Sequence, residues 1–206
     1  MVKQERALRT RQALIRAAAE AFVQEGFQAA SVARISSCAG VSNGALHFHF
    51  PSKAMLADAV EESAAAILQT VTSEPARAGA SHLQQLIDIT HQLARTLRED
   101  VVLRSGFALS GEATREPRTD LRACWRRRIE DEVGRSLACG ELREGVHPGW
   151  VGAAVMAATV GFEVLGARDA AWLSASTLTK FWLLLLPSLA SEAVIADLTT
   201  GALPRA

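Results

Sequence analysis

Ser42, Asn43, Gly44 and His47 bring a hydroxyl, an amide, a bare backbone and an imidazole into one short stretch. On a helix begun at Ser42, those groups suit hydrogen bonding to base edges or phosphate oxygens, and Gly44 lets the backbone approach closely. Lys53, at the start of the following helix, is placed for a phosphate contact, and Thr10 with the arginines of the first helix can add others. Plainer roles stand beside these. Ser42 is a good N-cap in its own right. His47 and His49 are two residues apart, so on a helix they face different ways and no metal pair is expected.

A second group points to different chemistry. Trp125 stands on an otherwise aliphatic helix face, where an indole supplies a flat wall for a ring and one N–H donor. Leu83, Leu86, Ile87, Val102, Phe107, Ile129, Val155 and Phe162 are its expected neighbours, enclosing a pocket for an uncharged amphiphile with an alkyl tail. Thr159 is the polar exception on an apolar helix. Its hydroxyl either orients a ligand carbonyl or bonds back to its own helix, and Trp125 is either ligand wall or plain core. No Ser/His/Asp order, carboxylate pair, nucleotide loop or metal cluster is visible, so neither an enzyme nor a cofactor is expected. Cys38, Cys124 and Cys139 are odd in number and lack metal-ligand spacing, which suits idle thiols in a reducing compartment.

The elements that must hold these residues are helices. Leu8, Leu14, Ile15, Ala18, Ala19 and Phe22 recur at three and four residues, predicting a helix over 7–25 stopped by Gly26. A short helix from about Val32 to Cys38, capped by Ser31, a turn at Ala39-Gly40-Val41 and a second short helix to about Phe48 form a helix-turn-helix. Val41 packs between the pair, with Ile35 and Leu46 beneath. Pro51-Ser52-Lys53 opens a long helix to about Val71. Glu74–Gly79 reads as a connector, and Ser81 with Gln84 as a capping box. Helices are expected over 101–109, 119–137, 148–167 and 171–187.

The last two are apolar around most of their girth. Trp150, Val151, Val155, Met156, Val160 and Leu165 on one, and Trp172, Ala175, Leu178, Phe181, Trp182 and Leu185 on the other, call for partners beyond one subunit. A homodimer with two-fold symmetry meets that need and implies a near-palindromic target. Neither stretch reaches the run of about 20 apolar residues needed to span a bilayer, so no membrane partner is expected. The charged start MVKQERALRTRQ has no leader-like segment, and the expected location is the cytoplasm, at the nucleoid.

Net charge is zero over 206 residues, yet it is unevenly spread. Lys3, Arg6, Arg9, Arg11, Arg16, Arg34 and Lys53 outnumber Glu5, Glu20 and Glu25, which leaves a basic head on an acidic body. The resulting expectation is an all-α chain: residues 1–52 a three-helix helix-turn-helix domain, residues 53–206 a helical bundle for ligand binding and dimerisation.

The run from Ser31-Val32-Ala33-Arg34-Ile35 through Ala39-Gly40-Val41-Ser42-Asn43-Gly44-Ala45-Leu46-His47-Phe48-His49-Phe50-Pro51-Ser52-Lys53 resembles the DNA-binding signature of the TetR family of repressors. With Ala7–Phe27 it covers about a quarter of the chain. The resemblance implies an all-helical homodimer with an N-terminal DNA-binding head and a C-terminal ligand-binding core. Two positions depart from it: the family usually carries tyrosine where His47 stands, and often lysine where Asn43 stands. The second change removes a charge and with it some salt dependence. Gly44–Phe50, Val102–Leu109, Trp125 and the Trp182-Leu183…Leu186-Pro187 end are similar to the γ-butyrolactone autoregulator receptors. There the residue matching Trp125 lines the ligand pocket. The likeness implies a repressor released by a small γ-butyrolactone-like signal, or a pseudo-receptor answering an antibiotic, butenolide or furan.

Overall fold

The computed structural model describes residues 2–73 and 79–201, so most of the connector expected at 74–79 lies outside the described residues. The helices are α1 (Val2–Ala29), α2 (Val32–Cys38), α3 (Asn43–His49), α4 (Lys53–Thr72), α5 (His82–Glu99), α6 (Val101–Ser110), α7 (Leu121–Ala138), α8 (Pro148–Gly166), α9 (Ala175–Leu189) and α10 (Glu192–Ile195). Among the described residues the extended backbone forms no strand, only an isolated bridge between Leu142 and Ala190. The all-α expectation therefore holds.

Two packing units share the chain: residues 1–67 with 100–121, and residues 68–99 with 122–206. Packing around the head thus takes in α6 and most of α4, well past residue 52. In this first unit Leu14, Ile15, Ala18 and Phe22 of α1 meet Ile35, Leu46, Phe50, Leu56, Val60 and Leu109 in one apolar cluster. α6 lies along α1, and its approach to α4 is close. A Cβ on Gly106 would sit 2.4 Å from the Ala64 Cβ and 2.8 Å from Leu121 Cδ2.

Local chemistry sets the element ends. Gly26 interrupts α1 at φ 80°, where glycine alone is unstrained, and the helix resumes briefly beyond it. Gly40, at φ 68°, closes α2 with Gly40 N–H to Ser37 O and Val41 N–H to Ser36 O, each 3.0 Å. This pair of bonds is a Schellman motif, and it delivers Val41 onto the apolar cluster beside Ile35. Ser31 holds the N-cap position of α2 but makes no side-chain cap bond, so its expected capping role is not realised.

In the second unit, the capping box at α5 is only half formed. Ser81 Oγ accepts from Gln84 N, but the Gln84 amide turns away to Asp88 and Thr199. Glu141 completes the cap instead, its two carboxylate oxygens accepting from His82 N at 2.9 Å and Leu83 N at 2.8 Å. The helix expected over 171–187 begins at Ala175, after a 3-10 turn at Ala170–Leu173, and runs through Pro187 to Leu189. Proline near a helix end costs one hydrogen bond and keeps a helical φ. α8 matches the helix expected over 148–167 to within one residue. At 19 residues it is long and apolar enough, by length and composition, to cross a membrane.

Candidate functional site

The recognition face is built from α2, the Gly40 turn and α3. Leu46 and Phe50 are buried, which fixes the inner side of α3 and turns the opposite side outward. Ser42, Asn43, Gly44 and His47 are all exposed there. Ser42 caps α3, its Oγ accepting from Ala45 N at 3.2 Å, and this leaves the hydroxyl proton available to an acceptor outside the chain. Thr10 is half-buried on α1. From Gly26 to Ala57 the sequence holds no acidic residue, so nothing on the two helices opposes a polyanion.

Lys53 has a structural task. Its Nζ donates to Gln28 O at 2.9 Å and Ala30 O at 3.2 Å, the carbonyls at the end of α1, and lies 4.8 Å from the Phe27 ring centroid. The ammonium keeps one further N–H for a phosphate.

Below this face runs an ionic network that sequence patterns did not suggest. Arg115, nearly buried, bonds to Glu61 and, at 2.6 Å, to Asp58 of α4, and its guanidinium lies 5.4 Å from the Phe27 centroid. The second Glu61 oxygen accepts from the backbone N–H groups of Arg118 and Thr119 at 2.8 and 3.2 Å. Gln28 reaches Thr114 at 2.6 Å. These bonds fasten the 111–120 loop to α4 and the end of α1. The only sequence signal was a loop richer in charge than a solvent-facing turn requires.

Of the expected pocket residues, Leu83, Leu86, Ile87, Trp125, Ile129, Val155, Thr159 and Phe162 belong to the second unit, whereas Val102 and Phe107 pack in the first. Val102 lies against the apolar cluster of the head, and Phe107 is buried. Trp125 is wholly buried, and its Nε1–H donates to Thr159 Oγ1 at 2.8 Å. Thr159 in turn donates within its own helix, to Val155 O at 2.8 Å and Met156 O at 3.1 Å. The indole and the hydroxyl are thus partners. Three residues before Trp125 and four after Thr159, Arg122 meets Glu163 at 2.9 Å, so α7 and α8 are cross-bridged twice. Loss of water around Glu163 pushes its carboxyl above the ordinary range, against the pull of Arg122. Phe162 is half-buried and meets Phe181 edge-on at 5.7 Å.

On the two apolar helices, Val151, Val155, Leu178 and Trp182 turn inward, Trp182 Nε1 donating to Thr90 Oγ1 at 2.9 Å. Trp150, Leu165 and Trp172 remain exposed. Val164, Leu183 and Leu184, which the spacing did not single out, join them.

Comparison with known proteins follows these lines. Residues 14–60 match the family model for bacterial regulatory proteins of the tetR family. The A-factor receptor protein of Streptomyces griseus is 32% identical over 203 residues, covering 96% of this chain and 70% of that protein. A crystal structure of a γ-butyrolactone receptor, an ArpA-like protein, superposes with a TM-score of 0.80 at 25% identity, over 93% of this chain and 94% of that one. TylP, a TetR regulator from Streptomyces fradiae, superposes with a TM-score of 0.74 at 29% identity, over 95% and 93%. With its exposed, acid-free recognition helix and its fully helical body, this chain belongs to the TetR family of DNA-binding transcriptional regulators, a non-enzymatic family, and is similar to its γ-butyrolactone receptors.

Proposed function

We propose that the chain is a cytoplasmic, nucleoid-associated repressor that binds a near-palindromic operator as a homodimer and is released by a small γ-butyrolactone-like ligand. The observation that carries the first half is the outward, unopposed set of Ser42, Asn43, Gly44 and His47 on α3. Asn43 and His47 read base edges, Ser42 and Gly44 bring the helix close, and Thr10 and the spare Lys53 proton hold phosphates. Recognition resides in residues 1–52, sensing and dimerisation in 53–206.

Dimerisation rests on α8 and α9. Trp150, Val164, Leu165, Leu183 and Leu184 expose large apolar side chains on one packing unit, more than scattered surface residues account for. A second copy presenting the same residues covers them, and two-fold symmetry then spaces the recognition helices at about 34 Å or a low multiple.

Sensing rests on the Trp125–Thr159 pair. A lactone carbonyl competing for the indole N–H, with its alkyl chain among Leu83, Leu86, Ile87, Ile129, Val155 and Phe162, must displace the Thr159 bond. Prising that bond apart separates α7 from α8. α4 carries the result to the head, since its residues belong to both packing units. Emptying an almost fully occupied operator requires about 5.5 kcal/mol of differential ligand affinity.

A mobility-shift assay on DNA upstream of the protein's own gene tests this, with butyrolactones, butenolides, furans and antibiotics added in turn. A shift abolished by a butyrolactone is expected, and Trp125→Ala should keep the shift while losing the response. Release by an antibiotic, butenolide or furan instead identifies a pseudo-receptor. No shift on any such DNA refutes the repressor reading.

A further inference from the structure

Phe48 is 84% exposed, the most exposed of the large apolar side chains described. It lies on α3, between residues that the fold either buries or turns toward DNA. Helical spacing puts Gly44, His47 and Phe48 on one face, since positions three and four apart are neighbours. That face is open: a Cβ on Gly44 would meet nothing nearer than Ser42 Oγ at 4.0 Å. The ring is not loose surface either. It stands edge-on to His49, centroids 5.4 Å apart and planes at 83°, while Leu46 and Phe50 anchor the same helix from beneath.

A phenyl ring there has no donor to offer a phosphate. In a major groove it has one apolar partner, the C5-methyl of thymine. A protein partner for the same ring is disfavoured by charge, because the surrounding stretch from Gly26 to Ala57 is basic and lacks any acid.

Resting on the DNA-binding reading above, we propose that Phe48 is a specificity-determining residue that selects thymine in the operator by packing on its C5-methyl group. Asn43, one turn before His47, and His47 then supply hydrogen bonds from the adjoining exposed side of the helix, and Phe48 sets the apolar position of the site.

The test uses the full-length protein and a duplex it has selected from a random-sequence pool. Thymines in that duplex are replaced one at a time by deoxyuridine, which removes only the methyl. Wild-type protein should lose roughly fourfold in affinity at one thymine per half-site, about the worth of one buried carbon. Phe48→Ala should bind the thymine duplex at least as much more weakly and be indifferent to the uracil replacement. Because the side chain is so exposed, the variant should melt with the wild type, so a folding defect is separable. Wild-type binding indifferent to every uracil overturns the inference and leaves the repressor reading standing, as does a Phe48→Ala variant as sensitive as the wild type. Failure of the wild type to select any duplex overturns both.

Discussion

Replacing Thr159 with valine removes one oxygen and keeps the branched shape of the side chain. In the wild type that oxygen is the acceptor for Trp125 Nε1, in a buried site. The Val155 and Met156 carbonyls that Thr159 also contacts belong to α8, where the backbone ladder still serves them. The indole N–H has no such reserve, and an unsatisfied buried donor costs about 1–3 kcal/mol. For a chain of this size each kcal/mol moves the melting temperature by about 2–4 °C, so Thr159→Val should lower it by about 4–8 °C for a cost near 2 kcal/mol. Trp125→Phe removes the donor but leaves a gap where the second ring was, and destabilises through lost packing. Adding Thr159→Val to Trp125→Phe should then cost little, because no donor remains to be orphaned. Thermal and urea denaturation of the four proteins gives the coupling energy, expected at about 1–2 kcal/mol. Costs that simply add, or a Thr159→Val variant that melts with the wild type, would refute the bond as a determinant of this wall.

Burial holds His91 below its usual pKa, outweighing the Thr200 carbonyl on Nε2 at 2.9 Å and the charge of Asp88, and Nδ1 is left without a partner. The folded state therefore resists a proton that the unfolded chain accepts near pH 6.5, and stability should fall as pH drops from that value through the lower folded pKa; His91→Gln should flatten this limb of a melting-temperature profile. Gly106→Ala should destabilise by about 1–3 kcal/mol by urea titration, since the added methyl meets Ala64 Cβ and Leu121 in a packed crossing. Lys53→Met should lower thermal stability by releasing the end of α1, and should reduce the slope of log affinity against log salt by about 0.9; an unchanged slope would make the residue a cap alone.

Much of this architecture was legible because it repeats. The helical period of α1, the Gly40 turn between two short helices, and the Ser52 cap of α4, which accepts from Met55 N at 3.1 Å, are local patterns realised by local bonds. Trp125 and Thr159 could be singled out as exceptions on their helices, but 34 positions separate them, and no periodicity reports that one donates to the other. The same limit hid Glu141. A carboxylate after a Gly-stopped helix reads as surface charge until the fold swings it under the first turn of α5. On α8 and α9 an apolar girth does not tell the inner stripe from the outer one. Val151 and Trp182 were separable from Trp150 and Leu184 only once Thr90 and the core of the second unit were in place.

The ionic latch on α4 was least legible, and its energetics constrain the head most. Glu61 is fully buried and takes three bonds from one loop, from the Arg115 guanidinium and two backbone N–H groups, while Asp58, one turn earlier on α4, gives a second hold on Arg115. A buried ion pair adds little stability as a whole, but removing one partner costs about 3–5 kcal/mol because the other is stranded away from water. Partial opening is thus the expensive state. These bonds hold the 111–120 loop to the first turns of α4, and α7 begins at Leu121, one residue beyond that loop. The sequence reads 111–120 as a polar connection; the structure ties it to α4 and to the end of α1.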